Sequence, residues 1–247
     1  MPAVTRAIAV LRLLSQSPVP LGLKAIAETL DLVPSTALHI MRALVTEQLL
    51  QVDLQTKRYR LGVGMLPLAR AVLENGDFPS LVRPKLDELS RRYGVTAIGV
   101  EVPDLDHMVV VALSSSLAPV RLHVDVGSRF PALISATGRC VAAFSTHPWK
   151  EIEKRFRRLR WHNAPTYATW HKEVGVARRR GFSIDRGNYI AGLTIIAVPI
   201  LNLSGNTSHT IVGIGIGSQL DRAHLRALAK EMRTAAREVA AQIFPRS

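Results

Sequence analysis

The first quarter of the chain is a series of short helical patterns separated by breakers. In residues 4–15, VTRAIAVLRLLS, the positions Ala7, Val10, Leu11 and Leu14 recur at helical spacing, with Arg6 and Arg12 on the other side. This spacing predicts a short amphipathic helix. The breaker SPVPLG follows, and LKAIAETL (23–30) repeats the pattern with Leu23, Ile26, Ala27 and Leu30 inward. Pro34 disfavours an α conformation at Val33, so DLVP ends that helix, while the same proline suits the first turn of the next. Ser35 and Thr36 are placed to satisfy the free N–H groups of that turn, and ALHIMRALVTEQLL carries the helix to about Gln48. Two short helices joined by a tight turn form a helix-turn-helix pattern. Alternating runs at 50–53 and 58–61, around a polar tip at 54–57, predict a hairpin. A helical trio followed at once by a basic hairpin is the order of a winged helix-turn-helix.

Residues 62–75, GVGMLPLARAVLEN, have a helical pattern despite Pro67, and GDFPS at 76–80 predicts a break. The layout expected is a winged helix-turn-helix over 1–61, a linker helix over 62–78 and a second domain over 79–247. In the second domain the pattern predicts a helix at 81–93 and strands in TAIGVEV (96–102), HMVVVAL (107–113) and VRLHVDV (120–126). A helix starts in ATGRCVAAF (136–144), and others are predicted at 150–160 and 170–180. The domain closes with strands TIIAVPI (194–200) and TIVGIGIG (210–217), then a helix at 221–244 with Leu225, Leu228, Met232, Ala235, Val239 and Ile243 on one face. The fold class predicted is α+β, with a mixed α/β domain of about 165 residues, an ordinary size for one core.

Composition narrows the class. With 247 residues, 47% hydrophobic, and mean hydropathy +0.14, the chain can bury a sizeable core and is not a disordered sequence. No apolar run approaches the ~20 residues of a membrane span, and the N-terminus lacks the basic-then-apolar layout of a signal peptide. A cytoplasmic protein that does not engage membranes is expected. Cys140 is the single cysteine, which excludes an intrachain disulfide and zinc sites built on paired cysteines. The net charge of +13 favours anionic partners, nucleic acid first. Eight basic against five acidic residues in the first 75 give +3 there and leave +10 for the rest, so charge alone does not locate a nucleic-acid site.

On the proposed recognition helix Ala37, Ile40, Met41 and Leu44 make the core stripe, which leaves Ser35, Thr36, Leu38, His39 and Arg42 for a DNA groove. Hydroxyls and imidazole can bond phosphates or base edges, Arg42 can reach guanine or phosphate, and Leu38 can touch a thymine methyl. Lys57, Arg58 and Arg60 of the wing are expected to clamp phosphates, and Tyr59 to be core. Gly213, Gly215 and Gly217 strip one strand face of side chains, which either a ligand floor or a closely packed helix would use. No lysine follows GIGIGS, so it is not a phosphate loop. Enzymatic chemistry finds no support: GFSID around Ser183 lacks the second glycine of a nucleophile elbow, and no Cys–His arrangement is legible around Cys140. The eight histidines are scattered, without HExxH, and no metal or cofactor is expected. The basic run 150–160, ending at Trp161, fits a solvated helix face better than an RNA- or protein-binding surface. A winged helix without an effector, acting as an architectural DNA binder, is the alternative function.

The segments LVPSTALHIMRAL, KRYRLG, VGSRFPALISATGR, RRRGFSID and IIAVP together resemble the IclR family of bacterial transcriptional regulators over nearly the whole chain. The resemblance implies a winged-helix domain, a linker helix and a GAF-like effector domain. It also implies a double-stranded DNA operator and a small-molecule effector that changes operator affinity, in a homodimer formed through the DNA-binding domains, often paired into a dimer of dimers. The effector pocket so implied is lined by Ser135, Ala136, Thr137 and Gly138, by Asp185, by Leu193 and Ile195, and by Gly215 and Gly217. The chain departs from the family pattern at Ile195, where a cysteine is common, and at Gly215 and Gly217, where serines often stand. It departs again at Arg186, Gly187 and Asn188, in place of an acidic run. These departures imply a roomier, less polar pocket for a larger or more apolar effector such as an aromatic compound. His39, where an arginine is common, prevents any operator sequence from being carried over.

Overall fold

The computed structural model describes residues 2–75, 77–115 and 124–245. It divides into two compact units, Met1–Asn75 and Gly76–Ser247.

The first unit contains α1 (Ala3–Gln16), β1 (Leu21–Gly22), α2 (Leu23–Thr29), α3 (Pro34–Thr46), β2 (Leu50–Val52), β3 (Arg58–Leu61) and α4 (Met65–Asn75). Val10, Leu14, Ile26, Met41, Leu44 and Leu50 close its core, so the helical stripes read from the sequence do meet. The breaker SPVPLG ends in β1, which pairs antiparallel with β3 (Leu21↔Tyr59) and makes the wing a three-stranded sheet, β1-β3-β2. The α2–α3 turn is closed by the Leu32 N–H donating to the Ala27 carbonyl at 2.9 Å, with Asp31 left-handed at φ 51. The predicted capping by Ser35 and Thr36 does not occur. The N-cap is Val33, with no side-chain cap, because both hydroxyl residues already lie inside the first turn. At the wing tip the Asp53 carboxylate accepts the Gln55 and Thr56 N–H groups at 2.8 and 3.0 Å, and these bonds hold its pKa below the usual value. Pro67 is harmless in α4 because the third helical residue has no intrahelical acceptor for an N–H.

The second unit opens with α5 (Asp77–Tyr93), followed by β4 (Thr96–Glu101), β5 (Met108–Leu113), β6 (Arg129–Phe130) and α6 (Ser135–Ala143). After these come α7 (Trp149–Phe156), α8 (Tyr167–Arg180), β7 (Ser183–Arg186), β8 (Leu193–Leu201), β9 (Thr207–Ile216), a 3-10 turn at Gly217–Gln219 and α9 (Arg222–Ile243). The break expected at 76–80 is, from Asp77 on, the first turn of α5, where Pro79 is tolerated. Of the strand expected at 120–126, residues 120–123 lie outside the described residues and 124–126 are not strand.

The sheet order is β6-β5-β4-β9-β8-β7, and every pairing is antiparallel. Both faces are covered. Alternate residues of β8 and β9 divide between two cores: Ile195, Ala197, Val212 and Ile214 face α6, α7 and α8, while Ile196, Val198, Ile200 and Ile211 face α5 and α9. A sheet buried on both sides gives near-continuous apolar strands, as the sequence of β8 shows.

His209, on β9, lies 4.3 Å from the Phe78 ring and 6.5 Å from Phe244, centroid to centroid. Burial lowers its pKa to about 4 from 6.5. The unfolded chain therefore binds this proton more readily, and the fold loses stability as pH falls from about 6.5 towards 4, by about 3 kcal/mol at most. His209→Phe is expected to shrink the difference between urea midpoints at neutral and acid pH. An undiminished difference would assign that acid sensitivity to other groups.

Candidate functional site

The buried segment 132–134 leads into α6, and the first residue of that helix, Ser135, is left-handed at φ 59. A non-glycine residue in this region is strained and is held there by its surroundings. The Ser135 carbonyl accepts from the Arg139 Nη1 at 2.9 Å, while its buried hydroxyl has no protein partner. Ser135 is among the residues that line a cavity of about 60 Å³ between α6 and the sheet. Its walls are Ile98 and Val100 of β4, Met108 of β5, Val212 and Ile214 of β9, Ile195 of β8, with Val124, Phe130, Ile134, Thr137, Tyr189 and Ile190 around the rim. Apart from Ser135, Thr137 and Tyr189 the lining carries no polar side chain. Burial holds the Tyr189 phenol above its ordinary pKa, so it is a neutral hydroxyl.

Arg139 stands behind this wall, only 1% exposed. Its Nε donates to Glu173 at 2.7 Å, its Nη1 to Asp185 at 3.3 Å, and its Nη2 to Asn188 Oδ1 at 2.9 Å. The other Asp185 oxygen accepts the Asn188 and Tyr189 N–H groups at 2.8 and 3.3 Å. Asp185 thus fixes the turn that presents Tyr189 and Ile190, and its carboxylate is fully committed within the protein. Sequence reasoning missed Arg139 although it sits in the ATGR motif, because an arginine in that position gives no sign of burial until its acceptors are known.

Of the residues implied for the effector pocket, Ser135, Thr137 and Ile195 are brought together in the cavity wall; the others are not. Asp185 is spent on Arg139, Ala136 turns its carbonyl to the Ser183 hydroxyl, and Leu193 packs at the sheet margin opposite Ile216. A Cβ on Gly138 would lie 1.9 Å from the Leu133 carbonyl carbon and oxygen, so that glycine serves close backbone approach. Gly215 faces away from the cavity, towards Leu220 and Val95, and Gly217 lies against the Gly192 carbonyl and Thr194. Gly213 and Gly215 therefore make room for packing on the other face of the sheet, Gly217 allows close approach to Gly192, and the cavity is not roomier for them.

In the first unit Ser35, His39 and Arg42 are exposed on one side of α3, with Thr36 and Leu38 half-buried beside them. Among the described residues the Arg42 guanidinium and the His39 ring have no protein partner. On the wing Arg58 donates to the Pro20 carbonyl at 3.1 Å and Arg60 to Gln51 Oε1 at 3.0 Å, so both brace the hairpin while remaining exposed. Lys57 is exposed at the tip, left-handed at φ 55.

Two family models account for nearly all of the chain: the IclR helix-turn-helix domain matches residues 3–54, and the bacterial transcriptional regulator IclR C-terminal model matches residues 70–241. The chain belongs to the IclR family. It is 28% identical over 246 residues to the glycerol operon regulatory protein of Streptomyces griseus, covering 98% of this chain and 94% of the relative. It is 27% identical over 244 residues to an uncharacterized HTH-type transcriptional regulator, RhmR, of Escherichia coli, covering 96% and 92%. An IclR transcriptional regulator from Alicyclobacillus acidocaldarius shares the fold with TM-score 0.86 at 24% identity, over 98% of both chains. So does an IclR homologue from Microbacterium hydrocarbonoxydans complexed with 4-hydroxybenzoate, with TM-score 0.76 at 19% identity, over 96% of this chain and all of that one. This IclR-family member is accordingly a DNA-binding transcriptional regulator with a C-terminal effector-binding domain, not an enzyme. Two features agree. Burial pushes the Cys140 thiol up to about 12, which keeps it protonated and inert. Within the basic run, Arg155 pairs with Asp106 and Glu151 and Arg157 with Glu153, as on a solvated helix face. No helix among the described residues is long and apolar enough to cross a membrane.

Proposed function

We propose that this regulator holds its operator through α3 and the wing, as a homodimer working in the cytoplasm, and answers a weakly polar, ring-sized effector taken into the cavity at Ser135. The observation that carries the effector class is the Ser135 hydroxyl, buried and unpaired in a strained backbone conformation, in walls otherwise almost wholly apolar. An unpaired buried hydroxyl costs about 1–3 kcal/mol, which a ligand with one hydrogen-bonding group on an apolar body would recover. No free cation stands in the wall to hold a small dicarboxylate. At about 60 Å³ the cavity is too small for a ring, since a cavity that admits benzene measures about 150 Å³. Binding must open the wall, and that difference between two states is what an effector needs in order to shift an equilibrium. Exposed Val4 and Ile8 on α1, and Val63, Leu66 and Leu68 at and before α4, leave the first unit with uncovered apolar positions that support pairing through it.

DNA contact falls to Ser35, Thr36, Leu38, His39 and Arg42 on α3, with Lys57, Arg58 and Arg60 on the phosphates. Anisotropy titration with DNA from upstream of the protein's own gene, beside a scrambled duplex, tests this half. Arg42→Ala is expected to lower operator affinity by about 10- to 100-fold with effector binding unchanged. Equal affinity would remove Arg42 from the interface, and equal binding to both duplexes would leave only the architectural role. For the effector half, 4-hydroxybenzoate and less polar phenols are the first probes, read by thermal shift and by release or tightening of the operator complex. Ser135→Ala is expected to weaken the responding ligand about tenfold. Response only to small polyhydroxylated acids would overturn the effector class.

A further inference from the structure

On the face of the sheet opposite the effector cavity, α8, β7 and α9 enclose a groove of about 890 Å³ whose rim is six arginines: Arg179, Arg180, Arg186, Arg222, Arg226 and Arg233. Its floor is apolar, made by Phe182, Ile184 and Leu225. No Asp or Glu stands among the lining residues, and among the described residues none of the six guanidiniums has an ion-pair or hydrogen-bond partner. Residues 76–247 carry 24 basic against 14 acidic side chains, so this groove concentrates a quarter of the basic residues of that stretch with no acid in its lining.

The fold explains only part of the cluster. Arg179 and Arg180 close α8, where cations complement the negative end of the helix dipole. Arg222 and Arg226 are the reverse case. They occupy the first two turns of α9, at the positive end of a 22-residue helix whose first turn has no acid. Cations there oppose the dipole and one another, although the Asp221 carboxylate caps this end of the helix by accepting the His224 N–H at 2.7 Å. Arg186 adds a further positive charge from the edge strand, and Arg233 lies over the side-chain-free Gly181, 3.5 Å from where a Cβ would stand.

We propose that this groove is a second ligand site, for a nucleoside polyphosphate. Guanidinium forks match phosphate oxygens in pairs, so six of them suit a group carrying three or four negative charges rather than a single carboxylate. The volume lies within the ~300–1,000 Å³ range of small-molecule sites. The apolar floor distinguishes a nucleotide from duplex DNA: a free base can lie on Phe182, whereas a duplex keeps its bases stacked inside and offers the floor nothing. The site shares no residue with the effector cavity, so the regulator would read two ligands, one from each face of the same sheet.

Isothermal titration of the full-length protein at about 150 mM salt, where exposed charge pairs are screened, is the test. ATP is expected to bind saturably in the micromolar range, inorganic tripolyphosphate several-fold more weakly, and AMP at least about tenfold more weakly. Arg222→Ala with Arg226→Ala should reduce ATP affinity at least about tenfold without lowering the melting temperature and with operator affinity unchanged. Arg186→Ala, on a different element, should reduce it several-fold and guards against a local disturbance of α9. The proposal is overturned by ATP binding that does not saturate, or by ATP affinity that the double variant leaves intact. It is equally overturned if the double variant loses affinity for random duplex DNA instead, which would make the groove a DNA contact, or if a glutamate-rich peptide binds more tightly than ATP, which would make it a protein-docking site.

Discussion

Arg139→Met is expected to destabilise the second unit by about 3–5 kcal/mol, the cost of leaving a buried carboxylate without its counter-charge. Arg139 and Asp185 are both 1% exposed, so neither can turn to solvent when the other is removed. The guanidinium also satisfies the Ser135 carbonyl and Asn188 Oδ1, and lies 6.0 Å from the Trp161 ring centroid. One planar fork reaches acceptors on α6, on α8, on β7 and in the turn after it. Lysine offers a single nitrogen and cannot span them, so Arg139→Lys should recover little. Combining Arg139→Met with Asp185→Asn removes the orphaned charge and should be less destabilising than the sum of the two single changes. The measurement is a double-mutant cycle from urea unfolding, with thermal midpoints expected to fall by roughly 10 °C in the single Arg139 variant. Additive single costs, or a loss in Arg139→Met below about 1 kcal/mol, would show that the buried pair does not organise this core. Because Asp185 also holds the Tyr189 turn, Asp185→Ala should blunt the effector response through the shape of the wall and not through a lost ligand contact.

How far these features were legible follows from which physical signal each one leaves. The helices of the first unit announce themselves because one face is buried and the other wet: Val10, Leu14, Met41 and Leu44 stand at the spacing that a half-buried helix requires. β1 and β6 are two residues long, too short for any period, and exist only through pairing with β3 and β5. The misplacement of Gly215 has a different cause. In a sheet covered on both faces, inward and outward positions are both apolar, so alternation cannot say which face meets the ligand and which meets a helix. Val95, Leu220 and Leu228 fill the space that the missing Cβ atoms at Gly213 and Gly215 leave. The cavity wall was hidden for the same reason, since Ile98, Val100 and Val212 read as ordinary core. Ser135 and Thr137 were reachable only through the family motif, and Arg139, inside that motif, is given away by no local pattern.

Gly138 supplies the sharpest link between that motif and a measurable outcome. A Cβ at this position would lie 1.9 Å from both the carbonyl carbon and oxygen of Leu133 and 2.5 Å from its Cα. No rotamer can relieve a clash with main chain, so Gly138→Ala must move either α6 or the segment before it. The Gly138 N–H donates to the Ile134 carbonyl at 2.8 Å, the bond that starts α6 directly below Ser135, and this bond is the first to be lost. Overpacking of a well-filled core costs typically about 1–3 kcal/mol, and an obstructed backbone puts this case at or above the upper end. Gly175→Ala is the matched control. Gly175 lies within α8, and its new Cβ would meet only the Arg179 Nη1 at 3.7 Å, so the better helix propensity of alanine should raise stability by about 1 kcal/mol. The same chemical change is thus expected to lower the melting temperature at 138 and raise it at 175. Opposite signs would locate the effect in the approach of α6 to Leu133. A neutral result at Gly138 would mean that the segment can yield, in which case it is soft enough to be the part of the wall that opens for the effector.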